Sequence, residues 1–371
     1  MSRNPEDLIR LIETRGTLAL SDAERALLET APHNHEQAQK ILAADAFNSG
    51  DGARALIRAK RAYGVRQSVE NTSNLVSALQ RAGQTQAAID LASHPDSPLD
   101  AIVQAGRVGE LYARLGDTEQ ARAWGLKALS LKDAAVPRVA QAAPVLHAFD
   151  ASQPGRNILS YSLWGDDPRY LDGAIRNAIV AGYLYPGWTA RFYIDESVPK
   201  AAQRALIQNG AQLRKVPGLP AAQFGLFWRF LVEDDPEVRL YAVRDADSVV
   251  NIRERVMVQD WLNAATSFHV MRDWPSHSEL LLAGMWGAHR GNLPDMGKRI
   301  TEFGKERGHV LNDRAADQLF LRQRIWPLMR DRMTCHDAPF GYMATHELPA
   351  GYTLPGNMHV GQNDAVRQRK A

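Results

Sequence analysis

The spacing of hydrophobic and polar residues changes near residue 150. Residues 1–150 are rich in Ala, Leu, Arg, Gln and Glu and contain few strand-like runs, which predicts one helix after another. From residue 157 onward, short apolar runs alternate with helical stretches. The segment 149–155 contains Pro and Gly and has the composition of a linker. The pattern therefore predicts two domains, a helical one over 1–150 and an α/β one over 155–371.

The helical part contains an internal repeat. Gly50, Gly83 and Gly116 are spaced by 33 residues, and an alanine follows five residues after each of them, at Ala55, Ala88 and Ala121. The segment RAGQTQAAIDLA at 81–92 is similar to the segment RLGDTEQARAWG at 114–125. A glycine that ends one helix and a small residue that packs the next describe a helix-turn-helix repeat. Over roughly 45–130 the pattern resembles tetratricopeptide repeats, although the aromatic positions of that family are mostly absent.

Two roles follow for such a domain. Stacked helical repeats form a curved solenoid with a concave face, which predicts a surface that recruits a partner or an acceptor. The alternative is a helical appendage that only stabilises the second domain or supports a homo-oligomer. Residues 1–44 are expected to add one or two helices, one of them starting with the capping box at 21–24. No residue before 150 has the character of a catalytic group.

The second part predicts an α/β sheet. Apolar runs predict strands, stretches between them predict helices, and these alternate: strands at 158–163, 190–195, 211–216 and 240–243, and helices at 170–181, 199–209 and 224–233. This order favours a mostly parallel sheet with helices on both faces. The carboxyl ends of parallel strands share one sheet edge, where open α/β sheets bind ligands. Trp164, Asp166, Asp195 and the pair Asp245 and Asp247 are expected to meet there.

Asp245 and Asp247 are the central candidates. They follow the apolar run 240–243, and side chains two positions apart on an extended segment point the same way. Two carboxylates held together repel each other, and a divalent cation with a preference for hard oxygen ligands resolves that conflict. The pair therefore predicts a site for Mg²⁺ or Mn²⁺ and a diphosphate.

The second part also resembles a known family. An N-terminal β/α half that ends in Asp-x-Asp is similar to the GT-A fold of nucleotide-sugar glycosyltransferases. Short segments resemble a bacterial group of these enzymes in a matching order: SLWGDDPRYLDGAIRNA at 162–178, YPGWTARFYIDESVP at 185–199, FWRFL at 227–231, RDADSVVNIRE at 244–254, FHVMRDWPSH at 268–277 and LLAGMWG at 281–287. The segment ADQLFL at 316–321 is similar to an Asp-Gln segment of that superfamily. The resemblance covers about 155–364.

This resemblance implies a GT-A-like α/β catalytic domain behind an all-α repeat domain. It implies a nucleoside-diphosphate sugar as donor, with UDP as the default nucleotide, and a glycan or protein as acceptor. The metal would be Mn²⁺ or Mg²⁺, bound by Asp245 and Asp247 and by a third ligand from near the C-terminus. His336 is the first candidate for that ligand and His359 the second.

Other residues are candidates for the donor. Arg229 and Arg244 are expected to contact phosphate or ribose, because a guanidinium forms paired hydrogen bonds with such oxygens. The alternative is an ion pair with nearby Asp234 or Asp235. Trp164 or Tyr161 is a candidate for stacking on the base, with core packing as the alternative. Asp195, at the end of the second strand, completes the predicted nucleotide side.

The acceptor side is expected to involve Asp273, His277 and Asp317. Asp273 and His277 stand in a polar, Pro-containing loop before a Gly-rich stretch, which is typical of a sugar or acceptor pocket. The alternative is a loop whose hydrogen bonds only hold the fold. Asp317 would act as the acceptor base in an inverting enzyme or anchor a sugar hydroxyl in a retaining one.

Composition narrows the class of protein. The formal net charge of +2 does not suggest nucleic-acid binding, and a single cysteine, Cys335, excludes an intramolecular disulfide. The charged N-terminus lacks an apolar signal core, and no apolar run is long enough to span a bilayer. These features predict a cytoplasmic protein.

Two other classes of function share parts of this pattern. A phosphohydrolase of the haloacid-dehalogenase type also has a strand that runs into Asp-x-Asp, but here the motif follows the fourth strand, and no second Asp pair lies in the right context downstream. A non-enzymatic repeat scaffold with an inert transferase-like domain would be expected to lose the metal carboxylates, and both are present.

Overall fold

A computed structural model describes residues 4–15, 20–308, 315–343, 345–348, 351–356 and 358–363 of the chain. The chain divides into two compact units, Met1–Leu131 and Lys132–Ala371. None of the helices in these ranges combines the length and apolar character that a bilayer span requires. The segment 367–370, where Arg367, Arg369 and Lys370 make the sequence basic, lies outside the described residues.

The first unit is helical, as predicted. Its helices are α1 (Pro5–Arg15), α2 (Asp22–Glu29), α3 (Glu36–Asn48), α4 (Gly52–Val65), α5 (Val69–Arg81), α6 (Thr85–Ser93), α7 (Ala101–Leu115) and α8 (Thr118–Ala134), the last of which ends three residues into the second unit. The predicted capping box at the start of α2 is confirmed, since Ser21 and Glu24 exchange hydrogen bonds.

The 33-residue spacing corresponds to helix pairs. Gly50, Gly83 and Gly116 lie in the turns of α3–α4, α5–α6 and α7–α8, with φ of 83°, 75° and 79°. Glycine adopts this left-handed conformation without a steric penalty, which explains its recurrence. The alanines that follow, Ala55, Ala88 and Ala121, are buried against neighbouring helices. The repeat in the sequence therefore corresponds to a repeated pair of helices in the structure.

The second unit contains a seven-stranded mixed sheet. Its strands are β1 (Asn157–Leu163), β2 (Thr189–Ile194), β3 (Gln212–Lys215), β4 (Leu240–Val243), β5 (Phe268–Arg272), β6 (Trp286–His289) and β7 (Met333–Asp337). The order across the sheet is β3-β2-β1-β4-β6-β5-β7. The first four strands are parallel, as predicted, and β6 is antiparallel to both neighbours. Strand β7 is parallel to β5.

Helices cover the sheet. They are α9 (Pro168–Leu184), α10 (Lys200–Gln208), α11 (Ala221–Phe224), α12 (Ile252–Ala264), α13 (Met296–Arg307), α14 (Ala316–Phe320) and α15 (Trp326–Met329). The helix expected over 224–233 is instead a 3-10 segment, Gly225–Asp234, that follows α11. A core of small and aromatic residues joins α9 to the sheet, and it includes Ala174 and Ala178 of α9 and the stacked rings of Tyr161 and Phe192.

The stretch 132–150, at the start of the second unit, packs against later parts of the same unit. The Lys132 ammonium donates to the carbonyl of Ser278 at 2.6 Å, and Asp133 accepts from Trp326 Nε1 at 2.5 Å. The main chain of Val145 exchanges hydrogen bonds with the Asn292 amide. Residues that the sequence places in the helical domain are therefore part of the packing of the second unit.

Candidate functional site

A cavity of about 850 Å³ opens at the carboxyl ends of β1 and β4. Its walls come from the loop after β1, the start of the 3-10 segment, the turn after β4, the loop before β6, the first turn of α14 and the C-terminal segment. Residues of these segments at the cavity include Trp164, Arg169, Arg229, Asp245, Asp247, His277, Gly284, Asp317 and Gly361. Six of them, all except Arg169, Gly284 and Gly361, are site residues predicted from the sequence.

The Asp245–Asp247 turn projects both carboxylates into this cavity. The Asp245 side chain is 41% exposed and that of Asp247 is 15% exposed. Gly284 lies directly against Asp245: a Cβ atom there would be 2.1 Å from Asp245 Oδ2 and 2.9 Å from its main-chain nitrogen. Only glycine leaves room for this carboxylate, which explains the small residue in the LLAGMWG stretch.

Both carboxylates have donors from the chain itself. Arg229 Nη1 donates to Asp245 Oδ1. Arg169 Nη2 lies 3.0 Å from Asp247 Oδ2, and the Asn363 amide donates to the same oxygen at 2.7 Å. Burial, followed by the charge of Asp245, nevertheless raises the pKa of Asp247. The two carboxylates thus repel each other despite these donors, which is the electrostatic situation that a bound cation relieves.

Arg229 also reaches the acceptor candidate. Its Nη2 donates to Asp317 Oδ2 at 2.7 Å, and both side chains are 4% exposed. The Arg229 main chain is fixed to β1, because Ser162 Oγ accepts from its N–H and Ser160 Oγ donates to its carbonyl. Burial raises the pKa of Asp317, which Arg229 opposes. The buried guanidinium of Arg229 therefore connects Asp245 with Asp317.

His277 is a neutral wall residue. Its Nδ1 accepts the main-chain N–H of Asp273 at 3.1 Å. Burial, with a smaller contribution from His359, lowers the pKa of His277 to about 3. With Nδ1 accepting, the proton of the neutral ring sits on Nε2. The neutral ring therefore keeps one N–H donor, and His277 is among the residues that line the cavity.

Trp164 forms an aromatic wall at the end of β1. It is half-buried and packs edge-on against Trp228, with ring centroids 5.9 Å apart. Gly225 makes room for it, since a Cβ there would lie 2.9 Å from the Trp164 ring. The side chain both packs and lines the cavity, so the two interpretations made from the sequence are compatible.

Two residues predicted on the nucleotide side lie elsewhere. Asp195 accepts from the main chain and hydroxyl of Ser197, so it shapes the loop after β2 and does not line the cavity. Arg244 is 3% exposed and pairs with Glu254 at 2.9 Å. Its side chain faces α12 because it alternates with Asp245 along the extended chain. Arg229 pairs with Asp245 and Asp317 and Arg244 pairs with Glu254, in place of the expected ionic alternatives Asp234 and Asp235.

The remaining predicted residues also lie outside the cavity lining. The Asp273 carboxylate pairs with Arg253 at 2.7 Å and accepts the Val360 N–H at 2.9 Å, so it anchors the C-terminal segment. His336, on β7, is hydrogen-bonded to His269 at 3.0 Å and lies 3.2 Å from Asp260. His359 stacks on Trp274 with centroids 4.6 Å apart. The structure therefore does not bring His336 to the Asp245–Asp247 pair.

The carboxylate pair fits a cation that is shared with a ligand. Within the described ranges, no group of three His, Cys, Asp or Glu side chains is arranged to hold a metal ion. Mg²⁺ is commonly held by one or two carboxylates together with substrate phosphates and water. Asp245 and Asp247, two carboxylates facing a roomy cavity, suit that mode of binding better than a closed protein cage.

Sequence reasoning missed Arg169, Gly284 and Asn363. Arg169 belongs to the segment DDPRY after β1, and nothing in that segment singles it out as a site residue. Asn363 is 116 residues from its partner Asp247. Their roles depend on long-range packing. The run of small residues before β6 indicated that a close approach occurs near Gly284. The contact of Gly284 with Asp245 depends on the antiparallel pairing of β6 with β4, which the sequence does not reveal.

Comparisons with known proteins identify no family and show a weak structural likeness. No family model and no curated protein matches the chain. Among solved structures, a mutant of the Thermobaculum terrenum O-GlcNAc transferase is similar at a TM-score of 0.42 and 17% identity, over 66% of this chain and 47% of that one. The matched region thus spans about half of that protein. A likeness this weak assigns neither a fold family nor an activity to this chain.

Proposed function

We propose that the protein is a metal-dependent glycosyltransferase that moves a sugar from a nucleoside-diphosphate sugar to a glycan or protein acceptor. The observation that carries the proposal is the convergence of six separately predicted residues on one cavity at the carboxyl ends of β1 and β4. Ligands of open α/β sheets bind at that edge. Four parallel strands that end in Asp245-x-Asp247 support a GT-A-like arrangement.

The donor would lie between the Asp pair and Trp164. Asp245 and Asp247 would hold Mn²⁺ or Mg²⁺, which supplies charge neutralisation of the departing diphosphate when bound. Arg169 stands beside Asp247 and is 40% exposed, so its guanidinium can turn from that carboxylate to a phosphate oxygen. Trp164 offers an aromatic surface for the base. UDP is the first nucleotide to test.

The acceptor side would contain His277 and Asp317. Neutral His277 donates from Nε2 to a hydroxyl without adding positive charge near the metal. Asp317 accepts a proton from the acceptor hydroxyl or holds a sugar hydroxyl, depending on the stereochemistry of transfer. Its raised pKa favours proton acceptance, while Arg229 fixes its orientation. The tetratricopeptide-like helices of the first unit would recruit the acceptor.

A nucleotide screen tests the proposal. We expect UDP or another nucleoside diphosphate to raise the melting temperature with Mn²⁺ and to have little effect without it, because ligand binding stabilises the folded state. Asp245→Asn and Asp247→Asn should remove this Mn²⁺-dependent binding and keep the fold. Asp195→Asn is the matched control, since that carboxylate also follows a parallel strand but lies outside the cavity.

The outcomes separate the three classes of function. Release of nucleoside diphosphate from a nucleotide sugar, dependent on Asp247, supports the transferase. Turnover of a phosphomonoester without nucleotide binding would support the phosphohydrolase. Binding of neither Mn²⁺ nor any nucleotide by the wild-type chain would reject the proposal and leave the inert scaffold.

A further inference from the structure

Asn177, on α9, binds the turn that carries the Asp pair. Its Nδ2 donates to the carbonyls of Ala246 at 3.2 Å and Ser248 at 3.0 Å. Its Oδ1 accepts the main-chain N–H of Val250 at 3.0 Å and the hydroxyl of Tyr161 at 3.2 Å. A carboxamide has two donor hydrogens and two acceptor lone pairs, and all four are used here. The side chain is fully buried.

The two carbonyls that Asn177 holds belong to the residues on either side of Asp247. Asn177 therefore fixes the peptide unit that precedes Asp247 and the one that follows Ser248, although Asn177 itself does not line the cavity. A fully satisfied, buried polar side chain specifies one geometry, because each lost bond leaves a buried carbonyl or N–H without a partner. Asn177 thus acts on the site through the turn.

Gly173 contributes from the same face of α9, one turn earlier. A Cβ atom at Gly173 would lie 2.4 Å from the Ala246 carbonyl oxygen and 2.9 Å from the Cα of Asp247. Both of these are main-chain atoms that cannot rotate away. The helix therefore approaches the turn as closely as a residue without a side chain permits, and Asn177 bonds to the turn one helical turn farther on.

We infer that Asn177 is a positioning residue that, with Gly173, fixes the Asp245–Asp247 turn in the geometry that binds the divalent cation. This inference rests on the proposed function, because it assigns the turn a metal to bind. A preformed turn removes the ordering cost from cation binding. Residues that orient metal ligands from behind have the same effect on affinity in other metal sites.

The test is Mn²⁺ binding to the full-length chain, followed by the electron paramagnetic resonance signal of free Mn²⁺ with and without UDP. Asn177→Leu keeps nearly the same volume and removes all four hydrogen bonds without adding charge. We expect it to weaken Mn²⁺ binding about 10- to 100-fold, the range seen when groups behind metal ligands are removed. Hydrogen exchange at the Val250 amide, which donates to Asn177, should speed up in the same variant.

Asn157→Leu is the matched control. Asn157 is 1% exposed in the same unit, and its amide also donates to two main-chain carbonyls, those of Asp150 at 3.0 Å and Gly187 at 2.8 Å. It lies at the start of β1, away from the Asp pair. We expect this variant to lose stability and to keep wild-type Mn²⁺ affinity.

Gly173→Ala gives a second route if Asn177→Leu does not fold. Alanine favours the helix, while its methyl group pushes directly on the turn, so Mn²⁺ affinity should again fall. Folded Asn177→Leu or Gly173→Ala with wild-type affinity would overturn the inference alone. So would an equal loss of affinity in Asn157→Leu, since the effect would then be general destabilisation. A wild-type chain that binds no Mn²⁺ would overturn the proposed function and this inference together.

Discussion

Arg229 and Asp317 form an ion pair of 2.7 Å between two residues 88 positions apart. Arg229 lies in the 3-10 segment and Asp317 in the first turn of α14. The sequence placed the first on the nucleotide side and the second on the acceptor side. Because Arg229 also donates to Asp245, the two sides share one buried guanidinium. A change at either residue is therefore expected to affect both sides.

Removing Arg229 should destabilise the second unit strongly. Arg229→Met leaves the buried Asp317 carboxylate without a counter-charge, and breaking a buried ion pair on one side typically costs about 3–5 kcal/mol. Adding Asp317→Asn should restore part of that loss, because an amide carries no charge. Urea unfolding measures both effects. A double variant no more stable than Arg229→Met would show that the pair is not coupled.

The sequence predicts an extended chain through the Asp pair, and the structure has a turn there instead. The Ser248 N–H donates to the Asp245 carbonyl at 3.2 Å, and Ala246 lines the cavity together with Asp245 and Asp247, so alternation holds only for Arg244 and Asp245. Applied to Arg244, it would have predicted the burial against α12 that the structure shows. The parallel order of β1 to β4 was also accessible, because strands and helices alternate there.

The residues that the structure places away from the cavity are those whose position depends on long-range strand pairing. Asp273 and His336 follow or belong to β5 and β7, which β6 separates from β4 in the sheet. No local pattern predicts that β6 inserts antiparallel between β4 and β5. That insertion brings Gly284 to Asp245 and carries His336 toward Asp260 and His269 instead. The sequence thus predicted residue types well and their distances poorly.

The stability of the protein should fall between about pH 4.5 and 7 through Glu233. This side chain is 2% exposed and accepts the N–H groups of Gly291 and Leu293 at 2.8 Å. Burial raises the pKa of Glu233 from 4.5 to about 7. The native state then keeps a proton that the unfolded chain has released, so stability is greatest below the unfolded pKa and is lost as pH rises through the folded one.

Glu233→Gln should remove this dependence. Gln retains an oxygen that can accept both N–H groups and never ionises. The free energy of unfolding of the wild type, relative to the variant, should fall by about 3 kcal/mol between pH 4.5 and pH 8. Urea unfolding at several pH values measures this difference. Parallel pH profiles for the two proteins would contradict the raised pKa.

The segment 132–150 should be required for a stable second unit. Arg330 is 2% exposed and donates from Nε to the Asp133 carboxylate at 3.0 Å. A fragment of residues 151–371 lacks this partner and should be less stable than a fragment of residues 132–371. The expected difference in the free energy of unfolding is about 3–5 kcal/mol, the typical cost of removing one partner of a buried ion pair. Thermal unfolding of both fragments tests this.

Asp133→Ala in the full chain isolates the ion pair from the rest of the segment. It should cost a similar amount of stability. Arg138→Ala is the matched control, because Arg138 pairs with Asp331 on the surface, where the side chains are 72% and 64% exposed. Exposed pairs contribute about 0–1 kcal/mol. Equal effects of the two substitutions would mean that the Asp133 pair is not the anchor.

Gly284→Ala should impair the Asp pair through Asp245, whereas Asn177 acts through the main chain around Asp247. The added Cβ would lie 2.1 Å from Asp245 Oδ2 and 2.9 Å from the Asp245 nitrogen. The carboxylate can rotate away from the first contact, but the second contact involves the main chain, so the turn or the loop before β6 must move. Loss of orientation behind a metal ligand typically lowers metal affinity about 10- to 100-fold, and calorimetry with Mn²⁺ and UDP measures it.

Gly182→Ala is the control for that substitution. Gly182 lies on α9, is exposed, and a Cβ there would meet no atom within 4 Å. Alanine in a helix interior is favoured over glycine by about 0.5–1 kcal/mol, so this variant should be slightly more stable and bind Mn²⁺ as the wild type does. The control therefore adds the same methyl group at a position where it displaces nothing. If Gly284→Ala also keeps wild-type Mn²⁺ affinity while it remains folded, the position of Asp245 does not control cation binding, and Asp247 alone must carry it.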